Sequence, residues 1–345
     1  MTAARGPRVR LKALLRPIVG VVVSVVCLAL FLRSVSLPEV VESLGRANPA
    51  YLLPAVGVYF LGTLVRSLRW QKLLGGHHVS VPVLFRSLVI GLTINDLVPA
   101  KLGEVARIFL LTRRAGVPIG VSLASIVLER VLDGLALTAI LGVGILWAGS
   151  GGWLVQLAAL SAAVFGCATA VLLWAAVAPG PMRWLGYTFV RPVPAAFRDR
   201  LTRLIDAGLD GLKPIARFGT AVGVIGLSLL AWVIEALMYL LVMAGFQIPG
   251  GIPAGLIGTA AASLATLVPS GPGYVGTLDL ALKAVLVEGF GAPSADAASY
   301  TLTVHFLLIA PVVVLGLFFL WRENLSLHDL GLGRRPAGER SVAGR

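Results

Sequence analysis

Apolar residues occur in long runs along this 345-residue chain, and most charged residues lie at the ends of those runs. Because the hydrocarbon core of a bilayer is about 30 Å thick, a helix needs roughly 20 apolar residues to cross it. The runs predict six membrane-spanning helices, at about residues 14–32, 51–70, 119–147, 153–177, 220–246 and 298–321. The first run is too long for a signal-peptide core and is interpreted as a retained anchor.

Two further apolar segments are interrupted by glycine and proline, and they resemble each other. The pattern at residues 97–105 recurs at residues 267–275, a shift of 170 positions. The same shift aligns the helices that flank the first segment with the helices that flank the second. Interrupted segments at matching places in two halves of a membrane protein point to a transport site.

The basic residues predict how the chain is oriented. Cytoplasmic loops are rich in Lys and Arg, and such clusters occur at residues 5–16, 66–72, 113–114 and 183–217. The flanks of the second interrupted segment contain neither residue. The first segment is therefore predicted to enter the membrane from the cytoplasm and the second from outside. Both chain termini are predicted to be cytoplasmic, in a cell inner (plasma) membrane.

These patterns together predict an all-α polytopic membrane protein. It has about six full transmembrane helices plus two re-entrant helical hairpins that form an inverted-topology repeat. We expect one integral membrane domain, residues 1–345, with repeat units at 49–148 and 219–321, a basic amphipathic segment on the membrane surface at 180–218, and a cytoplasmic tail at 323–345. The alternative is a bundle of six to ten helices with two ordinary Gly/Pro loops.

Composition narrows the functional classes. The chain is 57% hydrophobic and 13% charged, with a net charge of +13. Because its arginines cluster at helix ends, this charge indicates membrane orientation and anionic lipid contact, and no nucleic acid is expected. Both cysteines lie in apolar runs, so we expect no disulfide, metal or cofactor. No catalytic motif is present, and the chain is predicted not to be an enzyme.

Charged residues inside a bilayer are costly and are candidates for function. Those at the first hairpin and in the following helix are Asp96, Lys101, Glu104, Arg107, Glu129, Arg130 and Asp133. Glu129 and Asp133 share a helix face and need a cation between them, for which Lys101, Arg107 or Arg130 could serve. Two interpretations remain open: an ion-pair network that fixes the hairpin, or a basic pocket for an anionic headgroup.

The second hairpin offers a different chemistry. Its candidate binding residues are Ser270, Gly271, Gly273, Tyr274, Gly276 and Thr277. Accessible glycine amides before a half-helix can hold an anion without a charged side chain; the alternative is a tight turn that needs small residues.

Three other features stand out in the apolar helices. Glu235 and His305 are isolated polar residues, predicted as coupling groups or as ordinary interhelical hydrogen-bonding residues. Arg66, Arg69 and Trp70 are expected to form an interfacial anchor, the alternative being contact with a lipid headgroup.

Four motifs in order, at residues 66–70, 101–107, 129–133 and 269–277, resemble one family over residues 19–322. This is the flippase-like family related to the transmembrane region of bacterial lysylphosphatidylglycerol synthase. The resemblance implies a stand-alone member that handles lipid without the synthase domain. The chain departs from the family after the glycines of the second hairpin: many members carry glutamate there, and this chain has Thr277 and then Asp279.

Three functional hypotheses follow. The first is a lipid translocase, either flippase or scramblase, that moves a membrane phospholipid or a polyprenyl-phosphate lipid between leaflets. The second is an ion-coupled transporter of a small anion, in which Glu235 and His305 would be essential. The third is a non-transporting scaffold for a lipid-modifying or glycosyltransferase enzyme.

Overall fold

The computed structural model describes residues 22–33, 36–98 and 102–323, and within these ranges the chain is all-α. Three predicted features lie outside the described residues: the first part of the first apolar run, the candidate site residue Lys101, and the tail beyond Glu323.

The helices follow one another through short connections. They are α1 Val22–Arg33, α2 Leu37–Arg46, α3 Leu52–Leu73, α4 Val81–Leu97, α5 Gly103–Ala115, α6 Ile119–Ala148, α7 Trp153–Val177, α8 Pro179–Val190, α9 Ala195–Ala216, α10 Phe218–Phe246, α11 Gly251–Ala265, α12 Thr277–Ala284 and α13 Ser294–Arg322. A single turn, Pro49–Tyr51, precedes α3, a second, Pro272–Tyr274, precedes α12, and a π-helical turn, Val285–Gly289, extends α12.

Five helices in the described ranges are long and apolar enough to cross a membrane. They are α3 with its leading turn, α6, α7, α10 and α13. Helices α1 and α2 meet at an angle of 79° and would together supply a sixth span. The prediction of a polytopic all-α membrane protein with about six spans is confirmed.

The four helices of the two interrupted segments are short. Helix α4 has 17 residues, α5 has 13, α11 has 15 and α12 has 8. At a rise of about 1.5 Å per residue, even α4 is shorter than the hydrocarbon core. Each pair instead packs arm against arm as a hairpin: hairpin 1 (α4 and α5) and hairpin 2 (α11 and α12).

The hairpins open toward opposite ends of α13. Arg86 of α4 and Arg114 of α5 both reach Glu323, just after the last residue of α13, at 3.4 and 2.6 Å. At the other hairpin, Gly250 lies against the ring of Phe290, four residues before α13 begins. Because a 29-residue helix is about 43 Å long, the hairpins approach the interior from opposite sides.

Each hairpin packs on a long helix from the other half of the chain. Helix α4 of hairpin 1 packs on α13, while α11 of hairpin 2 packs on α6, and α3 packs along α10. Glycine makes both crossings close: a Cβ on Gly316 would lie 1.9 Å from Oγ1 of Thr93, and one on Gly144 would lie 2.7 Å from Ile257. The predicted repeat boundaries are not tested by this packing and stay a prediction.

The segment predicted at residues 180–218 forms α8 and α9. Helix α9 packs on α6 and α7, and Gly120 and Gly211 allow its close approach to α6. Leu212 is buried in this contact, whereas Phe197 at the start of α9 is exposed. The sequence predicts a surface helix here, and the structure shows in addition that α9 is held against α6 and α7.

Candidate functional site

A cavity of about 160 Å³ with charged side chains in its walls lies where the two hairpin tips meet. Gly273 of hairpin 2 approaches the backbone of Asp96 at the end of α4. Of the predicted site residues, the cavity is lined by Asp96, Glu129, Arg130, Asp133, Glu235, Gly273, Tyr274 and His305. Glu104, Arg107, Ser270, Gly271, Gly276 and Thr277 do not line it. Tyr59, Trp232, Ser263 and Thr266 also line the cavity and were not singled out from the sequence.

Glu129 is held by Arg107 in a two-pronged ion pair. Both guanidinium–carboxylate distances are 2.8 Å, and both side chains are almost fully buried. The Arg107 guanidinium also lies 4.1 Å from the centre of the Trp70 ring, in a cation–π contact. Arg107, one of the three cations proposed for this carboxylate pair, therefore binds Glu129.

Asp133 is held by Arg69, which the sequence analysis assigned elsewhere. Arg69 is fully buried, donates to both oxygens of Asp133, and lies 3.9 Å from Glu129. Trp232 donates its indole N–H to the same carboxylate at 2.9 Å. The cation between Glu129 and Asp133 is therefore Arg69, on α3.

The expectation of an interfacial anchor at the end of α3 is wrong. Trp70 is fully buried and donates to Ser125 at 3.0 Å. Arg66 pairs with Glu235 of α10 and stacks on Trp232 at 4.6 Å. These three residues face the protein interior because α4, α6 and α10 pack around the end of α3. Glu235 is consequently not isolated.

His305 of α13 joins the two ends of the hairpin 2 tip. Its Nδ1 lies 2.7 Å from the Asp279 carboxylate, and its Nε2 lies 2.7 Å from the carbonyl oxygen of Gly273. A carbonyl and a carboxylate both accept hydrogen bonds, so a doubly protonated ring satisfies both partners. His305 is therefore hydrogen-bonded at both ring nitrogens, to the carbonyl of Gly273 and to Asp279, a residue that the predicted site omitted.

The glycine amides of the hairpin 2 tip are largely occupied. The amide of Gly276 donates to Asp279 at 2.8 Å, and that of Gly271 donates to Ser24 of α1 at 2.7 Å. A Cβ on Gly276 would lie 2.6 Å from the backbone oxygen of Ser24. These two amides are already bonded, which corrects the expectation that they are open to an anion. The glycines instead allow α1 to approach closely.

Arg130 and Asp96 are the accessible charges of the cavity. Arg130 pairs with Glu104 at 3.0 Å, and its side chain remains 47% exposed. Asp96 is half-buried at the end of α4 and has no ion-pair partner among the described residues. Arg66, Arg69, Arg107 and Arg130 each contact a carboxylate. The cavity therefore presents charges of both signs, and each of these four arginines already has a carboxylate partner.

Comparison with known proteins gives matches over most of the chain. Residues 18–316 match the family described as the lysylphosphatidylglycerol synthase TM region. The glycosyltransferase AglD of Haloferax volcanii is 25% identical over 342 residues, 90% of this chain and 55% of AglD. The chain thus spans about half the length of AglD.

Two archaeal membrane proteins are also similar. A UPF0104 membrane protein of Methanothermobacter thermautotrophicus is 25% identical over 302 residues, 81% of this chain and 87% of that protein. The UPF0104 membrane protein MJ1595 of Methanocaldococcus jannaschii is 26% identical over 116 residues, 32% of this chain and 34% of its own length. With its multiple membrane spans and a family match across residues 18–316, the chain belongs to the lysylphosphatidylglycerol synthase transmembrane-region family.

Proposed function

We propose that this protein is a lipid translocase, in which a polar headgroup passes through the central cavity while the lipid tails stay in the bilayer. The observation that carries the proposal is the position of the cavity: it has charged side chains in its walls and lies where two short hairpins from opposite ends of α13 meet. Backbone that is not regular helix is tolerated at membrane depth only when buried in protein or lining a wet cavity.

The mixed charges suit a headgroup that must leave water. A headgroup phosphate would bind at Arg130, which lines the cavity and is half-exposed. Arg107 could reach a phosphate only if Glu129 released it, because both of its terminal nitrogens are engaged. Arg130 is therefore the cation we assign to an anionic headgroup, and Asp96 is available to a positively charged or hydroxyl group.

The substrate class in this proposal is a membrane phospholipid or a polyprenyl-phosphate lipid. The name of AglD, a glycosyltransferase, supports a setting in which glycosyl groups are transferred. A lipid-modifying or glycosyltransferase enzyme would then act beside the translocase and supply or use the lipid. The protein described here would contribute only the movement of the lipid between leaflets.

A leaflet-exchange assay tests the proposal. Purified protein in liposomes should exchange fluorescent phosphatidylglycerol, phosphatidylcholine or polyprenyl phosphate between leaflets. Arg130→Gln should lower exchange of the anionic lipids by about tenfold, since one charge-assisted bond is lost. Arg46→Gln, which removes an exposed arginine that does not line the cavity, is the matched control and should not change exchange. Absence of exchange with all three lipids, from folded protein, would reject translocation and favour the scaffold hypothesis.

Ion-coupled transport of a small anion is the second candidate, and the His305–Asp279 contact favours it. An imidazole can gain or lose a proton near neutral pH, and His305 lies on the cavity beside the tip of hairpin 2. If this candidate is correct, an imposed pH gradient should accelerate anion uptake by the wild type and have no effect on His305→Gln. A wild type that ignores the gradient in a vesicle flux assay would reject it.

A further inference from the structure

A second, larger cavity lies away from the hairpins, where α3 ends, α9 ends and α10 begins. Its volume is about 600 Å³, within the range of small-molecule sites. We call it the basic basin. Candidate membrane spans end at Leu73 and begin at Phe218, so the basin lies at the level of the lipid headgroups. By charge, this end of the molecule is predicted to face the cytoplasm.

Cations dominate the walls of the basic basin. Lys72, Lys213 and Arg217 line it, opposed by the single carboxylate of Asp210. Asp210 accepts from Lys213 at 2.8 Å and lies 3.5 Å from Arg183. Across the described ranges, Lys72 and Arg217 take part in no ion pair. The basin therefore has two positive charges with no carboxylate to balance them.

Backbone amides add to this positive potential. The first intrahelical bond of α10 runs from the amide of Ala221 to the carbonyl of Arg217, at 2.9 Å. The amides of Gly219 and Thr220, which line the basin, precede that bond. Amides in this position, at the positive end of a 29-residue helix dipole, favour an anion.

An apolar groove adjoins the basic basin. Its walls come from α6, α7, α9 and α10, and its lining surface is entirely apolar, with Leu128, Leu132, Leu172 and Val224 among the residues. No residue lines both cavities, but consecutive residues at two helix ends line one and then the other: Ile215 follows Pro214, and Ala221 follows Thr220. Along α6 the two cavities together extend from Val121 to Leu135, about 21 Å at the helical rise.

We propose that the basic basin and the adjoining groove form a binding site for a phospholipid with an anionic headgroup. The phosphate contacts Lys72, Arg217 and the amides of Gly219 and Thr220, and a short part of one acyl chain lies in the groove, whose volume is about 60 Å³. Phosphate chemistry alone would also suit a soluble phosphate, but the groove favours a lipid. This site is separate from the central cavity and does not depend on translocation.

Native mass spectrometry of the full chain in detergent tests the proposal. The probes are phosphatidylglycerol, phosphatidylcholine, glycerol 3-phosphate and inorganic phosphate. The double variant Lys72→Gln, Arg217→Gln should weaken phosphatidylglycerol binding by about tenfold or more. Arg191→Gln, Arg200→Gln is the matched control, because both arginines are exposed outside the basin. It should stay within about twofold of wild type.

A variant that fills the groove distinguishes a lipid phosphate from a soluble phosphate. Ala221→Trp should abolish phosphatidylglycerol binding and leave glycerol 3-phosphate binding unchanged, because only the acyl chain uses the groove. Unfolding midpoints equal to wild type confirm that the variants are folded. Equal loss in the control double variant would overturn the site. Displacement by inorganic phosphate, with no effect of Ala221→Trp, would overturn the lipid and indicate a soluble ligand.

Discussion

Replacing Arg107 by alanine is expected to destabilise the protein by about 3–5 kcal/mol, since removal of one partner leaves a buried charge unpaired. The partner is Glu129, which is 3% exposed and takes both of its short bonds from Arg107. Arg69 lies 3.9 Å away and also serves Asp133, so it cannot replace both bonds.

Chemical denaturation in detergent measures this effect. The double variant Arg107→Met, Glu129→Gln should recover most of the loss, because no buried charge is left unpaired. Arg130→Ala is the comparison, since its pair with Glu104 is partly exposed and should contribute no more than about 1 kcal/mol. Equal losses for Arg107→Ala and Arg130→Ala would contradict the burial argument.

Gly103→Ala is expected to be almost as damaging, with a loss of about 3 kcal/mol or a rearranged hairpin 1. A Cβ at this position would lie 1.9 Å from the backbone oxygen of Gly91 and 2.7 Å from the side chain of Asn95. A backbone oxygen cannot move aside as a side chain can. The arms α4 and α5 would have to separate, and the bond from the Gly103 amide to Asn95 would be lost.

Gly142→Ala provides the control for this substitution. Gly142 lies inside α6, and a Cβ there meets no atom within 4 Å. Alanine should stabilise the helix by about 0.5–1 kcal/mol. The measurement is the unfolding free energy of both variants under one condition. Similar unfolding free energies for the two variants would show that the stability of hairpin 1 does not depend on the close contact between α4 and α5.

The order of elements could be predicted from the sequence because it depends on local patterns. The apolar runs determine the long helices, and the Gly/Pro interruptions determine where hairpins 1 and 2 turn. The shift of 170 residues also gave corresponding positions, since α3, α4 and α6 lie in the same order as α10, α11 and α13. These features can be predicted without knowing which helices contact one another.

The partners inside the site could not be predicted in the same way. Arg69 and Asp133 are 64 residues apart, and Arg66 and Glu235 are 169 apart. A basic residue near a helix end is typical of both a membrane anchor and a buried ion pair, and only the packing of α3 distinguishes them. One signal was present: Glu129 and Asp133 on one face required a cation, and a search of every helix end for arginine would have included Arg69.

The crossed packing has a consequence for biosynthesis. The hydroxyl of Thr93, on hairpin 1, donates to the carbonyl of Val312 on α13, 219 residues later in the chain. At about 5–20 residues per second, roughly 10–40 s separate their emergence from the ribosome. Glu129 emerges only 22 residues after Arg107, so this charge pair forms early. The polar face of α4 has no partner on α13 until that helix has been made. A nascent chain stalled before α13 should therefore expose hairpin 1 to membrane proteases.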